Sequence, residues 1–511
     1  MTRPGTEGVD FLLMVGDDLL EASLPMPVRL LDPPAPMAPL PDFRAAVRGA
    51  LAAPLALPPV AKLVGRGARV TVAFDDPCLP LPPPLFDPRA VVIEEVTTRL
   101  LAAGVRPDDL TFVCANGLHR RWSRTELLPL VGPRIMARFG QQLDCYDAED
   151  PAANVHLGRT PSGLEVEVGR VVADADLVVY VGVPWTEMNG GHKSLACGLA
   201  TYRCIRQHHG PQTQARSPLM HPEASEMHAA LRDIGRHIGT RVPVLQVETV
   251  LNNRLWAGPL RLLDLRRRRL SPLLRPAKHL PRSALRLMGK GLRGSYQPVG
   301  VWAGVVDAVH ANVLARQQEM RLTGQTQADI LVLGLPDHSP YSVHSDMNPL
   351  LAANLGLGYA FQFGRPHPLV RPGGTVVLAS PCTPGFHPRH HVAYRRFWDD
   401  VLPQTRDAGR MATEFEPGFV SDPALIAAYR QRRAYHPAHP FFAWYWMSRA
   451  RAHVGDVVFA GVDDPGTVAA MGFDAAPSVE AAVARAREKL GADATVAVMT
   501  MPPVFIVDVE P

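Results

Sequence analysis

Eight residues, Asp176–Val183 (DLVVYVGV), form a nearly continuous apolar run bounded by Asp and Pro. Such a run reads as a strand covered on both faces, which belongs in a parallel sheet flanked by helices. Arg69–Phe74 (RVTVAF), Leu110–Cys114 and Val242–Val250 read as strands too, and Val91–Ala103, Lys193–Gln207 and Ala224–Ile238 as the helices between them. A second alternating block follows, with a helix at Val306–Met320 and strands at Ala328–Gly334, Gly374–Ser380, Asp456–Gly461 and Ala494–Met499. The 511 residues exceed one ordinary core. Together these features predict an α/β protein of two α/β domains with mostly parallel sheets. The expected division is an N-terminal domain over 1–253, a basic insertion or linker over 254–298 and a C-terminal domain over 299–511.

The six cysteines are scattered and form no Cys-x-x-Cys pair, which suggests a reduced, cytoplasmic setting. The N-terminus carries Asp10, Asp17, Asp18 and Glu21 around a short apolar run, unlike a secretory signal. No apolar run reaches the roughly 18 residues that span a bilayer. A soluble protein is expected.

Three polar segments follow strands, where α/β folds bind ligands. The first is Asp75-Asp76-Pro77-Cys78-Leu79-Pro80, the second Ala115-Asn116-Gly117-Leu118-His119-Arg120-Arg121 and the third Pro184-Trp185-Thr186-Glu187-Met188-Asn189-Gly190-Gly191-His192-Lys193. Gly190-Gly191 permits tight curvature and offers N–H groups to an anion. Lys193 then opens a helix, as a surface lysine, a phosphate contact or a nucleophile toward a carbonyl or thioacyl group. His208-His209 follows, the second sixteen residues after Lys193, either as surface at a helix C-terminus or as a metal ligand.

The order Asp-x-x-x-Pro, Gly-x-His-Arg, then Gly-Gly-x-Lys with a histidine sixteen residues on resembles the nickel-dependent lactate racemase family, from about Val70 to the C-terminus. The resemblance implies two α/β domains with an interdomain active-site cleft. It also implies a nickel-pincer nucleotide, a pyridinium-thiocarboxylate mononucleotide tethered to a lysine. On that resemblance Lys193 is the tether and His209 the nickel ligand, with His208 as its alternate. Gly190, Gly191 and Asp75 contact the cofactor, His119 is the general base and Asp76 the acidic residue of the first motif. The implied activity is a racemase or epimerase of a 2-hydroxy acid or related small hydroxylated substrate. The alternatives are a same-cofactor oxidoreductase or lyase, or a non-catalytic nucleotide-binding relative.

The chain departs from the family at three points. Cys78-Leu79-Pro80 lacks the family's arginine, and no histidine stands between Asp176 and Gly191, where the family has its second base. Glu187 or His192 is the expected replacement. The lysine of the C-terminal domain is absent, and Pro336–Pro349 offers Asp337, His338, Tyr341, His344, Asp346 and Asn348 instead. A substrate other than lactate is therefore expected.

Two His-rich segments, Phe386–His391 and Tyr435–Pro440, lack a convincing metal-ligand set. The aromatic run after the second (FFAWYW) reads as packing, with His436 or His439 as substrate-facing candidates. Arg254–Arg293 holds twelve Lys or Arg against one acid, Asp264. It reads as a solvated insertion, or else as a docking surface for an anionic membrane or an acidic partner. No nucleic acid is expected, because no recognised module accompanies the charge. The oligomeric state is left open.

Overall fold

The protein is described by a computed structural model covering residues 8–78, 82–256, 260, 263, 268–270, 293–500 and 505–510. Its first lobe is built on a six-stranded sheet in the order Pro298–Gly304, Val244–Leu251, Leu177–Gly182, Val70–Asp75, Leu110–Ala115, Leu143–Cys145. All neighbours are parallel except Pro298–Gly304, which closes the edge antiparallel to Val244–Leu251. Leu177–Gly182 is buried at every position, as its unbroken apolar run requires. Each fully buried Val or Leu there contributes about 1.5–3 kcal/mol relative to exposure.

The second lobe carries a fully parallel six-stranded sheet. Its order is Asp474–Ala476, Asp456–Ala460, Val370–Ala379, Ala328–Gly334, Val496–Met499, Val28–Leu31. The two lobes thus exchange strands, and the boundaries expected at 253 and 299 do not hold as cuts. Val28–Leu31 comes from the N-terminal part of the chain but pairs with Val496–Met499 in the second sheet. Pro298–Gly304 lies beyond the basic segment yet completes the first sheet. Both assignments depend on backbone pairing with strands far away in sequence, which local pattern does not reveal.

The stretch expected as one helix, Lys193–Gln207, is two: Lys193–Gly198 and Tyr202–His209, broken over Leu199–Thr201. Backbone pairing explains the break, since Thr201 donates to Glu167 O and Leu199 O accepts from Gly169.

One hydrophobic core runs through both lobes. The buried carboxylate of Glu416 fastens them, accepting from Tyr202 Oη (2.6 Å), Tyr445 Oη (2.8 Å) and Arg206 Nε (3.0 Å). Among the described residues no helix is long and apolar enough to cross a membrane. Most of the basic segment lies outside the described residues. Of its arginines, Arg268 pairs with Asp32 at 3.0 Å and Arg269 with Asp10.

Candidate active site between the lobes

The three polar strand ends converge on one cavity, which the second lobe closes with Tyr341, Tyr359, His439, Phe442 and Trp446. His119 sits on a loop held at both ends. Gly117, at φ +49°, lies so close to Cys197 that a Cβ would come within 2.5 Å of its carbonyl oxygen, so only glycine fits. Beyond the loop, Ser123 and Glu126 form a capping box that starts the helix Arg124–Phe139. The buried Arg120 ties Glu126 (2.6 Å) to Val343 O (3.1 Å) of the second lobe.

His119 Nδ1 lies 2.9 Å from Asp76 Oδ2. Asp76 also accepts from Trp122 Nε1 (3.3 Å) and from the Cys78 backbone N–H (3.2 Å). Burial raises the Asp76 pKa, but the His119 imidazole beside it and the Cys78 donors outweigh that and hold it below the ordinary value. An ionised Asp76 accepts from His119 Nδ1–H, so in the neutral imidazole Nε2 is the acceptor. No described residue bonds that Nε2. Asp75 also lines the cavity, where its carboxylate accepts from Tyr180 Oη (2.7 Å) and the Val183 N–H (2.8 Å) and braces two strand ends.

Asp76, Cys78 and His119 each bring one donor atom within 4.8 Å of the others, the one such trio among the described residues. In the absence of a metal, burial and the neighbouring Asp76 carboxylate push the Cys78 thiol well up and keep it protonated. The trio is better described as an Asp–His pair with a neighbouring thiol.

The Gly190-Gly191 turn differs from its expected role. Gly191 N–H donates to the buried Glu248 Oε1 at 2.6 Å, so the anion it serves is internal. Glu248 is shared with Gln246 Nε2 (2.8 Å) and His310 Nδ1 (3.1 Å). At Gly190 (φ +87°) a Cβ would come within 2.6 Å of Glu248 Oε1. The turn delivers Lys193 to the cavity, with its Nζ 5.8 Å from the centre of the Trp446 ring. Burial pushes the Lys193 pKa down, favouring the neutral, nucleophilic amine. Lys193 is the one lysine or arginine lining the cavity among the described residues.

His209 enters from the C-terminal end of Tyr202–His209. His208 Nε2 reaches Ala196 O at 3.3 Å, and a carbonyl can only accept, so the His208 proton is on Nε2. Burial lowers His208 to about 3, so its Nδ1 is a bare acceptor for His209 Nδ1–H at 2.8 Å. His209, itself held neutral by burial, therefore keeps its lone pair on Nε2.

Two expected site residues are displaced. Glu187 is locked away from the cavity by Arg321 (2.6 and 2.7 Å) and by a close ion pair with Arg365. Its carboxylate is thereby engaged by two guanidinium groups and is not among the residues lining the cavity. His192 turns outward to Asp307 at 3.0 Å. His436 is buried against Glu149 (2.8 Å), and His391 against Ser345 (3.3 Å) and Asn348 (3.2 Å). His439, in contrast, reaches the cavity.

The lining residues that sequence reasoning passed over as packing are Phe442 and Trp446. With His439 they are spaced i, i+3, i+7, one face of a helical segment, and that spacing is the signal that was available. Trp185 and Trp446 line the cavity with buried indole N–H groups that have no partner, and Asn116 Oδ1 is likewise unpartnered. Such orphans suit a polar ligand.

Residues 16–218 match the family model described as the lactate racemase N-terminal domain. Over 123 residues the chain is 28% identical to a lactate racemase of Lactiplantibacillus plantarum, spanning 23% of this chain and 28% of that one. It is 23% identical over 167 residues to a lactate racemase of Thermoanaerobacterium thermosaccharolyticum, spanning 32% of this chain and 37% of that one. These sequence matches span about a third of the length of the curated relatives. In fold, the chain resembles the lactate racemase apoprotein of T. thermosaccharolyticum, with a TM-score of 0.62 at 17% identity over 98% of this chain and all of that one. A second solved structure, of a protein from Thermotoga maritima, gives a TM-score of 0.53 at 11% identity over 93% of this chain and all of that one.

Proposed function

The chain is a diverged member of the lactate racemase family, and from that premise we propose that it is a racemase or epimerase of a small hydroxylated substrate. The observation that carries this reading is the convergence of His119–Asp76, Lys193 and His209 on one cavity. The donor set fits a lysine-tethered nickel-pincer nucleotide. Lys193 brings an amine with a lowered pKa to the cavity, His209 keeps an imidazole lone pair on Nε2, and the orphaned indole N–H groups await polar partners. When bound, that cofactor supplies an electron sink that takes up and returns a hydride, which no side chain provides.

The chain's own part is proton handling and positioning. His119 Nε2 removes the proton of the substrate hydroxyl, and Asp76 steadies the imidazolium that results. Return of that proton to oxygen closes the cycle. The aromatic wall of Tyr341, Tyr359 and Trp446 excludes water from the reacting carbon.

A same-cofactor oxidoreductase or lyase is the second reading, favoured by the withdrawal of Glu187 and His192 from the cavity. The test has two stages. Intact mass and nickel content, after co-expression with the enzymes that make the cofactor, are expected to reveal an adduct on Lys193 and one nickel per chain. Absence of both overturns the cofactor assignment. Adduct-bearing protein incubated with chiral 2-hydroxy acids and other secondary alcohols in deuterated buffer then separates inversion from net redox change.

A further inference from the structure

We propose that His439 is a catalytic hydrogen-bond donor, holding the reacting oxygen of the substrate opposite the base His119. This rests on the reading above, that the cavity turns over a hydroxylated substrate. His439 lines the cavity from the second lobe, and its ring centre lies 5.3 Å from that of His119.

The proton on His439 is placed by Tyr394. The Tyr394 hydroxyl lies 2.6 Å from His439 Nδ1, its one partner among the described residues. Tyr394 is fully buried, so its O–H must donate to Nδ1 or be left without an acceptor. Burial pushes the Tyr394 pKa well up, which keeps the proton on the phenol. A neutral His439 with an accepting Nδ1 carries its hydrogen on Nε2. Burial likewise holds His439 neutral. No described residue accepts from that Nε2–H, and the residue borders the cavity.

The two imidazoles are therefore set in opposite senses by their second-rank partners. Asp76 makes His119 Nε2 an acceptor, and Tyr394 makes His439 Nε2–H a donor. As the substrate O–H bond breaks, its proton goes to His119 and the oxygen becomes a carbonyl oxygen. The C–H electron pair would be taken up by the electron sink that the cofactor supplies when bound. His439 transfers nothing. It donates a hydrogen bond to that oxygen, and in the reverse direction it polarises the carbonyl for return of the hydride. Neutral imidazole is suited to this task, because a preorganised donor in a dry site acts on developing charge without titrating.

The first experiment uses the cofactor-free protein and long-range proton–nitrogen NMR of its histidines. The Nε2–H form is expected at His439, and Tyr394→Phe is expected to release it to a mixture of tautomers. An Nδ1–H form in the unaltered protein overturns the proposal. The second uses cofactor-loaded protein with whichever chiral alcohol it turns over. His439→Phe is expected to lower kcat by about 10²–10³-fold, and His439→Gln, which keeps a donor near the Nε2 position, to recover part of it. Unchanged kcat in folded His439→Phe also overturns the proposal. If no adduct forms on Lys193, the cofactor reading fails, while the tautomer measurement still decides the state of His439.

Discussion

Asp76 and His119 follow the ends of adjacent parallel strands, His119 on the loop beyond, and meet at 2.9 Å. Asp76→Asn keeps the size but reverses the hydrogen-bond demand on His119 Nδ1. Turnover is expected to fall by about 10²–10⁴-fold with cofactor loading intact. Equal turnover in the two proteins would remove Asp76 from the mechanism.

The same carboxylate gives a stability signature. Its folded pKa is below its ordinary value, so its contribution is fully present above about pH 4 and lost as pH falls through the folded value. Acid unfolding of the apoprotein followed by circular dichroism is expected to be less steep in Asp76→Asn than in the parent over that window. Superimposable acid curves would contradict the assigned direction.

His208 is expected to control nickel retention without touching the metal. By accepting from His209 Nδ1–H it fixes the lone pair on Nε2. His208→Ala is expected to weaken nickel retention by about 10–100-fold, read by competition with a chelator, and His209→Ala to abolish it. Because burial keeps both rings neutral, the parent is expected to hold its metal at pH values where an ordinary histidine is protonated.

Lys193 in the apoprotein is expected to be unusually reactive. Since burial lowers its pKa, acylation followed by peptide mass spectrometry should reach half-maximum at a pH below the ordinary lysine value of about 10.4. Labelling that tracks the surface lysines would refute this.

Much of the site was legible because its chemistry lies in short motifs at strand ends. The apolar runs announced the strands, and Asp76, His119, Lys193 and His209 all reached the cavity that their order implied. What stayed hidden depends on partners distant in the chain. Glu187 looked available until Arg321 and Arg365 closed on it, and Gly191 N–H looked free until Glu248 accepted from it. Phe442 and Trp446 read as packing because an aromatic run has the same composition whether it faces core or ligand.

Glu187 supplies a further test. Glu187→Gln removes the carboxylate that the largely buried Arg321 and Arg365 share, leaving them Asp508 and Glu223, and is expected to cost up to about 3 kcal/mol. A lower thermal midpoint with an unchanged tautomer at His439 is expected. An unaltered midpoint would show that the tie carries no stability.

The crossing of Val28–Leu31 into one sheet and Pro298–Gly304 into the other also limits how this protein can be rearranged. No single cut in the chain separates two complete sheets, since even a cut after Gly304 leaves Val28–Leu31 of the second sheet in the first piece. A chimera made with a relative must therefore exchange segments in matched pairs. The lobes are laced together by the backbone as well as by side chains.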